Sequence, residues 1–248
     1  MKRFSVLLVF VTMALWTAGP ARAVETGKEG KVRVLLTVGG HPYEEEPFYA
    51  MFGSMPGVTY DLAHMPKDVG MLKPGLQKKY DVLVMYDMVA RISPDEQKAF
   101  LALLNEGIGV VALHHNMGAH PDWSEFPKII GGKYFLKDTE FEGKRYKTSL
   151  WEHDQDIHVT VADPNHPITK GIQDFQIHDE VYKGYWTAPD ARVLLKTDHP
   201  KNNPELAWVT HYGKSPVFYL MLGHDSKAWA NPSYQRLVLN GILWAAGR

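Results

Sequence analysis

The chain has 248 residues, a formal net charge of −1 at pH 7, 45% apolar residues and no cysteine. With nearly balanced charge and no basic block, it lacks the electrostatic footprint of a nucleic-acid-binding protein. The absence of cysteine excludes disulfide bonds, a thiolate nucleophile and thiolate metal ligands, so that stability must come from an apolar core.

The first 23 residues are typical of a secretory signal peptide. Lys2 and Arg3 form a positive start, residues 5–18 form an apolar run, and residues 21–23 (Ala-Arg-Ala) form a cleavage motif. The alternative is a membrane anchor, but a spanning helix needs about 20 apolar residues and this run is shorter. We therefore expect cleavage after Ala23, a periplasmic or secreted location, and no membrane span in the mature protein.

Strand-like runs alternate with helical patterns through the first half of the chain, which predicts βαβ units and a parallel sheet. The run at residues 32–38 is almost entirely apolar, as expected of a strand buried on both faces. At residues 93–96 (Ser-Pro-Asp-Glu), an N-cap serine, a proline and a capping-box glutamate begin a helix that should end near Gly107. The other elements predicted here are a helix at 44–52 and strands at 58–62, 81–86 and 109–113.

The second half is irregular at first, and its C-terminal part is clearer. Strands are predicted at 157–161, 177–182, 193–197, 206–212 and 217–222, with a hairpin turn at 213–216 and a helix at 234–246. Together the patterns predict one α/β domain over residues 32–248. Its fold should be flavodoxin-like, with a doubly wound, mostly parallel sheet and inserted loops. The run 32–38 should lie among the inner strands, and 217–222 in or beside the sheet.

A histidine follows directly after three of the most strand-like runs. His41 ends a Gly-Gly-His turn, His114 and His115 follow the run at 109–113, and His224 follows Gly223. Loops at the carboxyl ends of parallel strands line one crevice, so we predict that His41, His114 and His224 converge in one pocket. Imidazole is both the commonest metal ligand and the usual general base near pH 7.

The run Ile-His-Asp-Glu-Val-Tyr at 177–182 contains two adjacent acidic residues, of which Glu180 or Asp179 is a candidate carboxylate ligand or general acid/base. Tyr182 is a candidate donor to a substrate hydroxyl, and we expect Glu180 at the rim of the pocket. Each candidate also has a structural interpretation: an exposed turn for His41, packing over the sheet edge for the histidine pair, and a solvated edge strand for Glu180. We assign catalytic roles to His114 and Glu180, and metal-ligand roles to His41, His115 and His224, for a divalent metal such as zinc.

Other residues carry weaker signals. Asp225 is a candidate for orienting an imidazole. Trp208 and Trp229 are candidate stacking surfaces for sugar rings, with burial in the core as the alternative. The remaining turn histidines are expected to face solvent; they are His153, His158, His166 and His199.

Five segments together resemble the trehalose-utilisation (ThuA-like) family; they are residues 37–41, 107–114, 178–182, 207–214 and 222–225. The resemblance implies a class I glutamine-amidotransferase-like fold and a role in sugar or glycoside catabolism, often beside dehydrogenases that make 3-keto-glycosides. Amidotransferases of this fold use a cysteine nucleophile at the turn after a central strand, where this chain has His114. Glutamine amidotransferase activity is therefore not expected.

The resulting hypothesis is catabolism of a glycoside or 3-keto-glycoside by metal-assisted or histidine-based hydrolysis or elimination. The alternative is a non-catalytic sugar-binding or scaffolding domain, which would need aromatic platforms but no convergent histidines. The expected partner is a small sugar, and a homo-oligomer is a further expectation.

Overall fold

The structure is a computed structural model that describes Met1 and residues 30–248. The expected signal peptide lies outside the described residues apart from Met1. Within the part of the chain that is described, no helix is long and apolar enough to cross a membrane.

The described residues contain thirteen strands, five α-helices and four short 3-10 helices. In chain order the strands and α-helices are β1 (Val32–Gly39), α1 (Glu45–Ser54), β2 (Val58–His64), β3 (Val82–Asp87), α2 (Pro94–Glu106), β4 (Gly109–Leu113), α3 (Phe126–Ile130), β5 (Gly132–Lys133), β6 (Thr139–Phe141), β7 (Lys144–Tyr146), β8 (Leu150–Val161), β9 (Phe175–Lys183), β10 (Trp186–Thr187), β11 (Arg192–Lys196), β12 (Glu205–Tyr212), β13 (Ser215–Leu220), α4 (Ser226–Trp229) and α5 (Pro232–Ala245). One of the 3-10 helices, His114–Gly118, directly follows β4.

The main sheet has nine strands in the order β2-β1-β3-β4-β13-β12-β11-β8-β9. The first five run parallel, and the remaining neighbours pair antiparallel, so that β9 again runs in the direction of the parallel strands. The predicted α/β class with a mostly parallel sheet is confirmed. As predicted, β1 is an inner strand, between β2 and β3, and β13 lies in the sheet beside β4.

The helix boundaries follow the local chemistry of the sequence. The Ser93 side chain accepts from the Glu96 amide and the Glu96 carboxylate accepts from the Ser93 amide, which completes the predicted capping box of α2. Gly107, at φ 91°, ends the helix in the left-handed conformation. Every residue of β3 and β4 is buried, which explains their continuous apolar character.

A carboxyl group is buried at the end of β3. Asp87 is 5% exposed, and its Oδ1 lies 2.5 Å from the Thr37 hydroxyl, which donates to it. Apolar side chains surround it, among them Met65 and Phe100. Burial raises the pKa of Asp87 to about 6, although the Thr37 hydrogen bond acts to lower it.

The free energy of unfolding should therefore depend on pH through Asp87. Because its pKa is higher in the folded than in the unfolded chain, its favourable contribution is present below about pH 4 and is lost as the pH rises to about 6. Asp87→Asn removes this dependence. Relative to wild type, the variant should gain up to about 3 kcal/mol between pH 4 and pH 7. Urea unfolding at both pH values measures this difference, and Asp198→Asn, at an exposed position, is the control that should show no such change.

Candidate functional site

His114 lies at the turn directly after β4 and takes a left-handed backbone conformation, with φ 48°. Such a φ is uncommon for a residue other than glycine, and strained positions of this kind concentrate at functional sites. The imidazole is fully buried, and its Nδ1 lies 2.7 Å from the Met221 carbonyl oxygen. Because a carbonyl only accepts, Nδ1 carries a hydrogen, and in the neutral ring Nε2 presents a lone pair.

The Nε2 atom of His114 faces two further potential ligand atoms. Glu180 Oε2 is 3.0 Å from it, and His224 Nδ1 is 3.2 Å from it. The distance from His224 Nδ1 to Glu180 Oε2 is 3.4 Å, so the three atoms form a small triangle. We call these three atoms the ligand triangle. The Tyr182 hydroxyl lies 2.9 Å from the same Nε2 of His114.

The ligand triangle has the dimensions of one face of a tetrahedral metal site. Ligands at 2.0–2.2 Å from zinc in tetrahedral geometry lie about 3.3 Å apart. Three protein ligands with an open fourth position are also the pattern of catalytic zinc sites. Without a cation, the lone pair of His114 and the carboxylate of Glu180 would repel at 3.0 Å unless a proton lies between them. The residues present therefore fit either a divalent cation or an imidazolium–carboxylate pair.

Glu180 is a buried residue of β9, 5% exposed, rather than a residue of the pocket rim. Burial raises its pKa, but hydrogen bonds and charges from His114 and His224 outweigh this and hold the pKa well below its usual range. For His224, burial lowers the pKa and the Glu180 carboxylate raises it, with a net increase. Glu180 is consequently an anion near neutral pH.

Asp179 holds the turn that carries His224. Its two carboxylate oxygens accept from the backbone N–H groups of Gly223 at 2.7 Å and His224 at 3.0 Å. Asp225, a candidate for orienting an imidazole, instead accepts from two backbone N–H groups and begins α4. Glu180 and the residue that supports the His224 turn are thus adjacent residues of one strand.

His41 and His115 lie in the same region but outside the ligand triangle. Their rings stack with centroids 4.6 Å apart, and the His41 ring is 6.5 Å from that of His224. His41 Nδ1 donates to the Pro42 carbonyl and His115 Nε2 to the Tyr86 carbonyl. Burial lowers the pKa of both rings, most strongly for His115. His41 is therefore a neutral imidazole at the pocket, with Nε2 as its lone-pair nitrogen.

A pocket of about 540 Å³ opens above the ligand triangle. His41 and His224 line this pocket, whereas His114 is fully buried beside it, with Nε2 3.2 Å from His224 Nδ1. The pocket is lined by His41, Pro42, Met88, His115, Gly118, Tyr134, Leu136, Thr148, Ser149, Trp151, His153, Glu180, Tyr182 and His224.

Sequence reasoning missed His153, which was expected to face solvent. Its Nδ1 lies 3.3 Å from Glu180 Oε1, and its ring centroid is 4.4 Å from that of His224. A bulge in β8 explains this position: the register places Glu152 opposite Val181 and Gln155 opposite Asp179, so that two residues oppose Glu180. Bulges turn side chains in new directions and are frequent beside active sites.

The structure corrects the expectation for His166 and confirms burial in the core, the alternative interpretation, for Trp208 and Trp229. His166 is buried, and its Nδ1 accepts from the Ile168 amide. Trp208 and Trp229 are 0% and 1% exposed and belong to the core, so that neither offers a stacking surface. The tryptophan that lines the pocket is the exposed Trp151, which sequence reasoning did not select because β8 begins seven residues earlier than its apolar alternation indicates.

Comparison with known proteins identifies the family and the fold. The family model for ThuA, described as trehalose utilisation, matches residues 31–245. A ThuA-like protein from Parabacteroides merdae has 21% identity and a TM-score of 0.70, covering 87% of this chain and 90% of its own. A second, from Bacteroides uniformis, has 20% identity and a TM-score of 0.64, covering 91% and 95%. A comparison with curated proteins gives no match.

A more distant similarity is to PurLQS from Thermotoga maritima, with 12% identity and a TM-score of 0.54, covering 86% of this chain and 99% of that one. These likenesses establish the class I glutamine-amidotransferase-like fold. The family description adds a carbohydrate-related role.

Proposed function

This chain belongs to the ThuA (trehalose utilisation) family, and we propose that it is a metal-assisted lyase acting on 3-keto-glycosides. The observation that carries the proposal is the ligand triangle of His114, Glu180 and His224, with sides of 3.0, 3.2 and 3.4 Å, at the floor of an open pocket. The metal assignment differs from the expectation based on sequence, since His41 and His115 lie outside this triangle.

The hydrogen bonds that support the triangle from outside favour a bound cation. Metal-binding histidines usually donate their other N–H to a carbonyl or carboxylate, and His114 donates to the Met221 carbonyl. Asp179 fixes the backbone of His224 through two hydrogen bonds. When bound, a divalent cation would act as a Lewis acid toward a carbonyl or hydroxyl oxygen of the sugar.

The residues around the triangle are suited to move protons. His41 is neutral, because burial lowers its pKa, and it lines the pocket with Nδ1 bonded to the Pro42 carbonyl, which leaves Nε2 as the basic nitrogen. His153 also lines the pocket, with Nδ1 3.3 Å from Glu180 Oε1. One imidazole can therefore remove a proton while the other donates one.

A keto group at C3 of the sugar acidifies the C–H bond at C2. In the proposed reaction His41 removes the C2 proton, and the electron pair of that bond forms the enolate with the C3 carbonyl. The enolate electrons then form the C1–C2 double bond as the bond from C1 to the aglycone oxygen breaks. The aglycone oxygen leaves with the bonding pair and takes a proton from His153. The products are an unsaturated keto-sugar and a free alcohol, with no net redox change.

The test is an assay of the purified protein, loaded with zinc or manganese, on a 3-keto-glucoside and on its parent glucoside. We expect metal binding at about one ion per chain, release of the aglycone from the keto-glucoside alone, and exchange of the C2 proton with deuterium from solvent. Removal of the metal by a chelator should abolish turnover, and its return should restore it.

Equal cleavage of the parent glucoside would contradict the elimination and favour hydrolysis. If neither compound reacts while sugars bind measurably by calorimetry, the sugar-binding alternative is the better account of the site.

A further inference from the structure

The mouth of the pocket carries unusually exposed apolar side chains. Trp151 is 59% exposed and Leu136 is 46% exposed, and both line the pocket. Large apolar residues exposed together at a cavity commonly mark a ligand-binding surface. Pro42 and Met88 also line the pocket. Pro42, Leu136 and Trp151 thus form an apolar part of the exposed lining, which also includes Thr148 and His153, whereas Glu180 and Tyr182 are buried.

Trp151 is placed on the same face of the sheet as the catalytic candidates. In the β8–β9 ladder it lies directly opposite Tyr182, whose hydroxyl contacts His114. Residues opposite one another in an antiparallel pair project their side chains to the same face, and Glu180, two residues from Tyr182, shares that face. The Trp151 ring is 4.6 Å from the ring of His153. The indole therefore lies next to the position from which the aglycone leaves.

Backbone and side-chain hydrogen bonds hold this wall in place. The Ser149 amide donates to the Phe135 carbonyl at 2.8 Å, and the Phe135 amide donates to the Ser149 hydroxyl at 3.0 Å. Tyr134 donates through its hydroxyl to the Ser149 carbonyl at 2.9 Å. Leu136 and Trp151 directly follow or lie near these tied residues, so that the backbone carrying their exposed side chains is held in place before any ligand binds.

We propose that Trp151 and Leu136 form an aglycone subsite for a planar aromatic ring, so that aryl glycosides are the preferred substrate class. The inference rests on the proposed function for the position of the sugar. An aromatic ring stacks on indole and buries apolar area against Leu136, Pro42 and Met88. Toward the hydroxyls of a second sugar, Leu136 and Pro42 offer no side-chain hydrogen bond and Met88 offers only a weak acceptor. The Thr148 hydroxyl, which also lines the pocket, already donates to Asp138 at 3.3 Å.

The first experiment measures binding without turnover. Calorimetry compares a phenyl glucoside with methyl glucoside on the metal-loaded wild type, Trp151→Ala and Trp151→Phe. We expect Trp151→Ala to weaken phenyl glucoside binding about tenfold and to leave methyl glucoside unchanged, with Trp151→Phe retaining most of the affinity. Leu150→Ala is the matched control, because Leu150 is 66% exposed on the same strand but does not line the pocket.

The second experiment repeats the comparison as kcat/KM on the phenyl and methyl 3-keto-glucosides. For each substrate, the kcat/KM of the variant is divided by that of the wild type. This ratio cancels the intrinsic advantage of phenol as a leaving group. A Trp151→Ala loss confined to the phenyl substrate supports the subsite. Equal losses on both substrates, or an equally large loss on a 3-keto-disaccharide, would overturn it. If no keto-glucoside reacts but the binding difference is present, the subsite stands and the proposed lyase function fails.

Discussion

Glu180→Gln should lower metal affinity and the turnover of 3-keto-glycosides by more than a hundredfold while leaving the fold intact. Glutamine has nearly the same shape but carries no charge, so the ligand triangle loses its only anion. Changes in the residues that support a metal ligand already cost 10- to 100-fold in affinity or activity, and loss of a direct ligand should exceed this. Metal content after dialysis and kcat/KM measure the effect.

Glu140→Gln is the control for this variant, because Glu140 is exposed on the hairpin of β6 and does not line the pocket. Its metal content and turnover should match those of the wild type. If Glu180→Gln kept both properties, the triangle would not be the reactive site. If it lost the metal but kept turnover, acid–base chemistry by histidine alone would replace the metal-assisted proposal.

Gly223→Ala should destabilise the protein by about 3 kcal/mol or more, which corresponds to a fall in Tm of roughly 6–12 °C for a chain of this size. Gly223 has φ 109°, a conformation that L side chains rarely adopt, and an added Cβ would overlap the hydroxyl and ring of the fully buried Tyr234. The site should fail as well, because the Gly223 amide donates to Asp179 and the next residue is His224.

Gly57→Ala separates the two contributions to this loss. Gly57 also has a positive φ, of 72°, but an added Cβ there meets nothing within 4 Å. Its cost should therefore be only the conformational one, about 1–2 kcal/mol. Differential scanning calorimetry of both variants measures the difference. Similar Tm values for the two would show that the turn relaxes away from Tyr234 and that tight packing there is unimportant.

The positions of the strand-end histidines were predictable from sequence because they depend on local patterns. A buried parallel strand is recognisable by its continuous apolar run, as in β1 and β4, and the carboxyl ends of parallel strands share one edge of the sheet. The capping box of α2 is equally local, since Ser93 and Glu96 lie three residues apart. These features place His41, His114 and His224 at one edge.

The identity of the groups around His114 depended on tertiary structure. Glu180 is 66 residues from His114 in the chain and His224 is 110 residues away, and distances near 3 Å between them require the full strand order and register. Local periodicity specifies which face a residue occupies but not which side chain lies across from it. For that reason the three histidines were expected as one cluster, whereas the structure places His41 beside the triangle.

His153 and Trp151 show the same limit most clearly. In the sequence, both residues lie in a mostly polar stretch in which apolar and polar residues do not alternate. Only the pairing of β8 with β9, with two residues of β8 opposite Glu180, turns His153 toward the carboxylate and leaves Trp151 at the mouth of the pocket. Local sequence thus determined the strands and the edge where their histidines meet. The register between distant strands decided which side chains form the site, because a shift of one residue moves every side chain to the other face.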